Sequence, residues 1–378
     1  MAVSGAPATR EELAQTLKSA GAAGQPVRFS GGATKHGWGA AGAEDALELP
    51  TGGLDRILEH NAGDLTAVLE AGVPLARAQE AFAEEGQMLA LDPPDPGGAT
   101  IGGVVATADS GPLRGRYGGV RDLVVGMRVA LSDGTLAKSG GKVIKNVAGY
   151  DLAKLFAGSL GTLGAIVEVS VRLHPLQPHS ATAIGHAGDP DDLGRALISV
   201  ARAPLEHSGF DVSWADGAGS LLIRFAGAAP RPQAELAERL LREAGLGSEI
   251  EEDDDELWAG QRARQRGEAS GGAVLRVSAL PTRLPALIRA TEDAGGSLAG
   301  RAVLGLSWVW LPDPSRDQIE SLRRMLSPSP CVVLDRPQSL EVDPWGPVDP
   351  ALLALMRRVK EHFDPAGVCS PGVFAGGL

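Results

Sequence analysis

Residues 92–111 constrain this chain more than any other stretch. They read Asp92-Pro93-Pro94-Asp95-Pro96-Gly97-Gly98-Ala99-Thr100-Ile101-Gly102-Gly103-Val104-Val105-Ala106-Thr107 and end near Ser110-Gly111. Proline fixes φ and glycine frees it, so a stiff loop gives way to backbone that turns tightly. A Gly-Gly pair then opens a short apolar helix. Small residues at Gly102, Gly103 and Ala106 let that backbone press against a flat ligand, and Thr100 and Thr107 carry hydroxyls to donate.

A second glycine-rich segment lies upstream. Residues 27–29 read as a short buried strand running into Ser30-Gly31-Gly32-Ala33-Thr34-Lys35-His36. A glycine pair after a strand lets successive N–H groups point into one concavity, a nest that holds a phosphate without basic side chains. Alone, such a turn decides little. The adjacent Gly37, Gly39 and Gly42 fit the spacing of a dinucleotide fingerprint, but that motif needs a helix to start inside it. Here Ala43-Glu44-Asp45 leads straight into a strand, so the nicotinamide reading fails. A third segment runs from Gly149-Tyr150-Asp151-Leu152 into Gly158-Ser159-Leu160-Gly161-Thr162-Leu163-Gly164-Ala165-Ile166.

Local signals place these segments among short elements. Thr9 and Glu12 form a capping box, with Leu13 and Leu17 as the apolar stripe of a helix reaching Gly21. Pro74 opens a helix closed by Gly86. Strands are expected at 46–49, 65–70, 123–131 and 166–173, with a hairpin turn at Ser132-Asp133-Gly134-Thr135. After Pro178 the texture becomes β-α-β-β-α, which predicts an antiparallel sheet with helices on one face. It includes a single strand over 302–310, and a helix over 350–363 closes the chain. The acidic run 249–256 reads as a solvated loop or helix start, and no repeat of fixed period is visible.

With 378 residues the chain supports two or three folding units, and its 43% hydrophobic content can fill a sizeable core. A net charge of -12 and 4% aromatic residues argue against nucleic acid, which asks for cationic surface and stacking platforms. No apolar run approaches the roughly 20 residues of a membrane span, and no signal segment opens the chain. Cys331 and Cys369 are too few for a disulfide framework or a self-contained iron–sulfur cluster. A cytoplasmic address is the expectation.

In order, Ser30-Gly31-Gly32, Thr100-Ile101-Gly102-Gly103, Gly149-Tyr150-Asp151-Leu152 and Gly161-Thr162-Leu163-Gly164 resemble the FAD-binding domain of the vanillyl-alcohol-oxidase superfamily. The resemblance covers about residues 25–178 and returns at the tail. Gly86-Gln87-Met88-Leu89 and the stretch Lys145-Asn146-Val147-Ala148 before Gly149 narrow it to the FAD-binding E subunits of bacterial glycolate oxidases. This implies an α+β chain in three parts. They are a PCMH-type two-subdomain FAD-binding domain over 1–178, a small antiparallel sheet-and-helix cap over 179–335, and a C-terminal segment, 336–378, returning to the FAD domain.

By the same resemblance Ser30, Gly31, Gly32, Ala33, Thr34, Lys35 and His36 wrap the pyrophosphate. Pro94, Thr100, Ile101, Gly102, Gly103, Ala106, Thr107 and Gly111 meet pyrophosphate, ribose or flavin edge, while Gly161, Gly164 and Ile166 line the adenosine end. Ser370 stands where relatives carry Asn near the isoalloxazine. His36 is offset from the place of a covalent flavin link, so the expected cofactor is noncovalent FAD.

Catalytic relatives flank the stretch before their Gly-Tyr-Asp with Arg and Thr. Here those places hold Ile144 and Ala148, which cannot clamp a carboxylate, and Lys142 and Lys145 read as surface lysines. His179 and His186 have the spacing of the relatives' metal segment without its carboxylate and amide, so no metal is expected and no catalytic residue is assigned. The resemblance therefore implies an FAD subunit of a complex that oxidises glycolate to glyoxylate. Its partners would be a larger FAD-containing catalytic subunit and an iron–sulfur subunit, with peripheral attachment at the inner membrane through the complex. The alternatives are a stand-alone D-2-hydroxy-acid dehydrogenase and a structural subunit with little flavin binding.

Overall fold

The computed structural model describes residues 5–95, 97–141, 151–267 and 271–378. The chain divides into two compact units, one of Met1–Ser110, Gly118–Leu176 and Pro347–Leu378, the other of Gly111–Tyr117 and Gln177–Gly346.

Among its described residues the first unit has three sheets, the smallest pairing Gln87–Met88 with His174–Pro175. Strand Val27–Ser30 pairs in parallel with Leu47–Pro50. Five antiparallel strands follow in the order Ile57–Asn61, Thr66–Glu70, Ala165–Arg172, Val124–Ala130, Leu136–Gly140. The expected hairpin joins the last two, with Ala130 opposite Leu136 and Gly134 at φ 86°. Helix Arg10–Ala23 begins as its capping residues require: the Thr9 hydroxyl accepts from the Glu12 amide at 3.1 Å, and the Glu12 carboxylate accepts from the Ala8 amide at 2.8 Å. It outruns Gly21 and stops at the left-handed Gly24. Gly21 serves packing instead, since a Cβ there would lie 2.3 Å from the Ser132 carbonyl oxygen. Leu13 and Leu17, both 0% exposed, join Val27, Leu49 and Cys369 in one core cluster. Each such leucine stabilises by about 1.5–3 kcal/mol relative to exposure.

The second unit carries an eight-stranded antiparallel sheet. A strand–helix–strand–strand–helix–strand order runs through His179–Ala187, Pro190–Ala201, Gly209–Ala215, Ala218–Gly227, Arg231–Glu243 and Gly247–Glu251. It recurs in Ala273–Ser278, Leu284–Asp293, Ser297–Arg301, Leu306–Leu311, Arg316–Leu326 and Cys331–Asp335. Pairing is the same within each half, and the halves join where Gly209–Ala215 meets Ser297–Arg301. This is a duplicated β-α-β-β-α-β unit. Helices of both halves bury Leu197, Leu241, Ile288 and Leu322 against one face of the sheet. The reading of one strand over 302–310 is corrected: a 3-10 turn at Ala302–Leu304, ending on left-handed Gly305, separates two strands. The acidic run is corrected in part. Gly247–Glu251 is an edge strand with alternating exposure, and Asp255–Arg264 is a helix.

The fold is α+β. No helix among the described residues is long and apolar enough to cross a membrane.

Candidate functional site

A cleft with 690 Å³ of empty space, part of it open to solvent, lies within the first unit. Its floor is the turn after Val27–Ser30. A Cβ on Gly31 would fall 2.1 Å from the Thr100 hydroxyl, and one on Gly32 would fall 1.7 Å from the Gly98 carbonyl oxygen. The two glycine-rich loops therefore pack backbone to backbone, which no larger residue at Gly32 allows. Asp95 orders the second loop by accepting from the Gly97 and Ala99 amides at 2.9 and 3.1 Å. Thr100 caps helix Ile101–Thr107, its hydroxyl accepting from the Gly103 amide at 3.3 Å.

Twelve of the residues expected to hold a ligand line this cleft: Gly31, Gly32, Ala33, Thr34, Lys35, His36, Thr100, Gly103, Ala106, Thr107, Gly161 and Ser370. Others support it from outside the lining. Ser30 accepts from the Thr51 amide at 2.7 Å, and Gly102 lies against Ala71. Ile101, Pro94 and Ile166 are buried, and Gly164 packs on the Ala130 carbonyl. Gly111 belongs to the second unit. Lys142, Ile144, Lys145, Ala148, Gly149 and Tyr150 lie outside the described residues. The cleft adds Arg28, Phe29, Trp38, Ala99, Leu160 and Val373. Arg28 and Phe29 were within reach of sequence reasoning, because they belong to the strand that delivers the loop.

The tail completes the wall. The Val27 amide donates to the Val368 carbonyl at 2.7 Å, and the Ser370 amide donates to the Val27 carbonyl at 2.8 Å. This sets Ser370 beside Gly161, whose missing Cβ would lie 3.1 Å from the serine hydroxyl. Ala33 (φ 55°), Leu160 (φ 52°) and Ser370 (φ 40°) all adopt left-handed backbone around the cleft. Such conformations cost about 1–3 kcal/mol each and gather where a ligand site over-determines them.

The cations of the cleft are engaged. Arg28 donates to the His36 carbonyl, and Lys35, almost wholly buried, pairs with Asp109 at 3.3 Å. Burial, then the Arg28 charge, hold the His36 imidazole below its ordinary range. The Thr107 hydroxyl is spent on its own helix, donating to the Gly103 carbonyl at 2.8 Å. Cys369 is 0% exposed, and burial followed by the Asp364 charge pushes its thiol up, so it stays an unreactive thiol. His186 bonds Ser220 and Glu249 at 2.9 and 3.1 Å.

A glycine cradle, a polar floor and an apolar wall of Phe29, Leu160 and Val373 suit a dinucleotide with a flat ring, and together with the fold they define a PCMH-type FAD-binding protein. Residues 2–140 match the family model for the FAD binding domain, and 347–374 match that of the FAD linked oxidases, C-terminal domain. The chain is 30% identical to the glycolate oxidase subunit GlcE of Escherichia coli over 322 residues, covering 84% of this chain and 83% of that one. It is 32% identical over 209 residues to the mitochondrial D-lactate dehydrogenase [cytochrome] of Arabidopsis thaliana. That match covers 53% of this chain and 35% of the relative's own length. A solved alkyldihydroxyacetonephosphate synthase shares the fold at a TM-score of 0.71 and 14% identity, over 97% of this chain and 76% of the other. This chain belongs to the FAD-linked oxidoreductase family that includes GlcE, and FAD is its cofactor.

Bound in such a site, FAD supplies a two-electron acceptor. Gly31, Gly32, Thr100 and Gly103 would hold its polar part by close backbone approach, and Phe29, Leu160 and Val373 would keep water from its ring.

Proposed function

We propose that this chain is the FAD-binding subunit of a glycolate-oxidase-type complex. In it, a larger FAD-containing chain oxidises the 2-hydroxy acid to its 2-oxo acid and an iron–sulfur chain carries the electrons away. The observation that carries this reading is the extent of the GlcE match, which runs through 83% of that subunit's length. The matches to D-lactate and D-2-hydroxyglutarate dehydrogenases stop near half of this chain. Noncovalent FAD and membrane attachment only through partners belong to this proposal.

The test is reconstitution. The purified chain should be yellow, release its flavin on denaturation, and reduce a dye with glycolate or D-lactate only after the partner chains are added. Dye reduction by the isolated chain at the rate of the complex would sink the subunit reading in favour of a stand-alone dehydrogenase. A colourless protein that rejects added FAD would sink the flavin role itself.

A further inference from the structure

The last turn of helix Pro350–Phe363 carries a lysine, Lys360, whose surroundings differ from those of an ordinary helix-terminal cation. The Lys360 ammonium donates three hydrogen bonds of 2.7 Å, to the Thr162 carbonyl, the Asp364 carboxylate and the Cys369 carbonyl. All three of its protons are thereby used. Its side chain is 11% exposed and that of Asp364 is 0% exposed. Asp364 in turn accepts from the Cys369 amide at 2.8 Å and the Val368 amide at 3.3 Å. Burial pushes its carboxyl up, but the Lys360 hydrogen bond and charge, with the Cys369 amide, outweigh that and hold it below the usual carboxylate range.

The two carbonyls under the ammonium belong to the two walls that close one end of the cleft. Thr162 follows Leu160 and Gly161, and Cys369 precedes Ser370. Leu160 and Ser370 are the strained left-handed residues there. Strained backbone persists only where its surroundings over-determine it, and one buried ion pair ties both segments together. Lys360 itself is not among the lining residues.

We infer that Lys360 and Asp364 are positioning residues for the flavin: they lock the 160–162 turn to the 368–370 segment and so preform the wall that FAD meets. This rests on the assignment of the cleft to FAD. The pair acts through main-chain atoms and touches no cofactor. Its removal therefore weakens FAD binding through lost preorganisation, with the cleft's own side chains unchanged.

The experiment is an FAD titration of full-length apoprotein, followed by flavin fluorescence, alongside thermal unfolding without FAD. Lys360→Met should raise the Kd by about tenfold or more. Lys360→Arg, which restores a cation with several donors, should stay within about threefold of wild type. Arg301→Met, a buried change in the second unit, serves as the control for general destabilisation. It should lower the apoprotein Tm and leave the Kd unchanged. A wild-type Kd in Lys360→Met overturns the inference, as does an equal loss of affinity in Arg301→Met. A wild-type apoprotein that takes up no FAD overturns the cleft's assignment, and the inference with it.

Discussion

Gly32 shows how far a single position can be read: the sequence marks a tight glycine turn, and the fold adds the close approach of the Gly98 carbonyl that leaves no room for a Cβ. Lys360 is the opposite case. On a helix ending Lys-Glu-His-Phe it reads as a solvated cation, and only the tertiary meeting of the Thr162 and Cys369 carbonyls gives it a role. Leu160 is likewise silent, because nothing in a leucine announces φ 52°. Gly32→Ala forces its methyl into the Gly98 carbonyl, where only 1.7 Å is available. Such overpacking costs about 1–3 kcal/mol, and the displaced loop should lower FAD affinity by about tenfold or more. Calorimetric titration of the variant checks this, and unchanged affinity would mean that the loop yields freely. Ala33→Gly runs the other way. Its left-handed φ of 55° penalises a Cβ, so glycine should stabilise by about 0.5–1 kcal/mol after its own entropy cost. The urea midpoint of the apoprotein reports it.

Element types were mostly readable in the second unit, because strand alternation and helix stripes are local. Helix 350–363, in the first unit, follows as directly from Pro350 and the Asp364-Pro365 stop. What sequence hid was pairing. The strand at Gly247–Glu251 is acidic because it lies on a sheet edge with Ser248 and Ile250 turned inward, and charge masked its alternation. The duplication escaped because the halves share an order of elements and a pairing scheme, not residues. Their seam carries a cross-strand ion pair, Asp211 opposite Arg301 at 2.6 Å, with both side chains 1% exposed or less. Gln261 donates to Asp211 at 3.1 Å, and Gln265 accepts from Arg301. Leaving one partner of such a pair charged and alone costs about 3–5 kcal/mol, whereas replacing both by apolar groups is often near neutral. Arg301→Met should therefore destabilise strongly, and adding Asp211→Leu should recover most of the loss in urea unfolding. Burial pushes Asp211 up to about 6, against the opposing pulls of Arg301 and Gln261. A carboxyl raised in the fold holds its proton there at a pH where the unfolded chain has lost it. Its contribution to stability is thus full below the ordinary carboxylate range and falls as pH climbs through about 6. Comparing midpoints at about pH 4.5 and 7.5, that fall should be present in wild type and absent in Asp211→Asn. An identical pH profile in the variant would falsify the assignment.

At the scale of the whole molecule, each unit has an apolar core among the described residues, and the cofactor cleft lies in the first unit. Every lining residue of the cleft lies in the first unit, whereas the second buries its own cluster between an eight-stranded sheet and four of its helices. Each unit thus has the apolar interior that independent cooperative unfolding requires. Ligand linkage then separates them. FAD at about 100 times its Kd stabilises the state that binds it by about 2.7 kcal/mol and leaves any unit without a binding site where it was. Scanning calorimetry of the apoprotein should resolve two transitions, and added FAD should move one upward by several degrees. Arg301→Met should lower only the other. The two perturbations address different residues and different cores, so together they assign each transition to its unit. If FAD and Arg301→Met move the same transition, the units unfold as one cooperative block, and the cleft's stability is inseparable from that of the duplicated sheet.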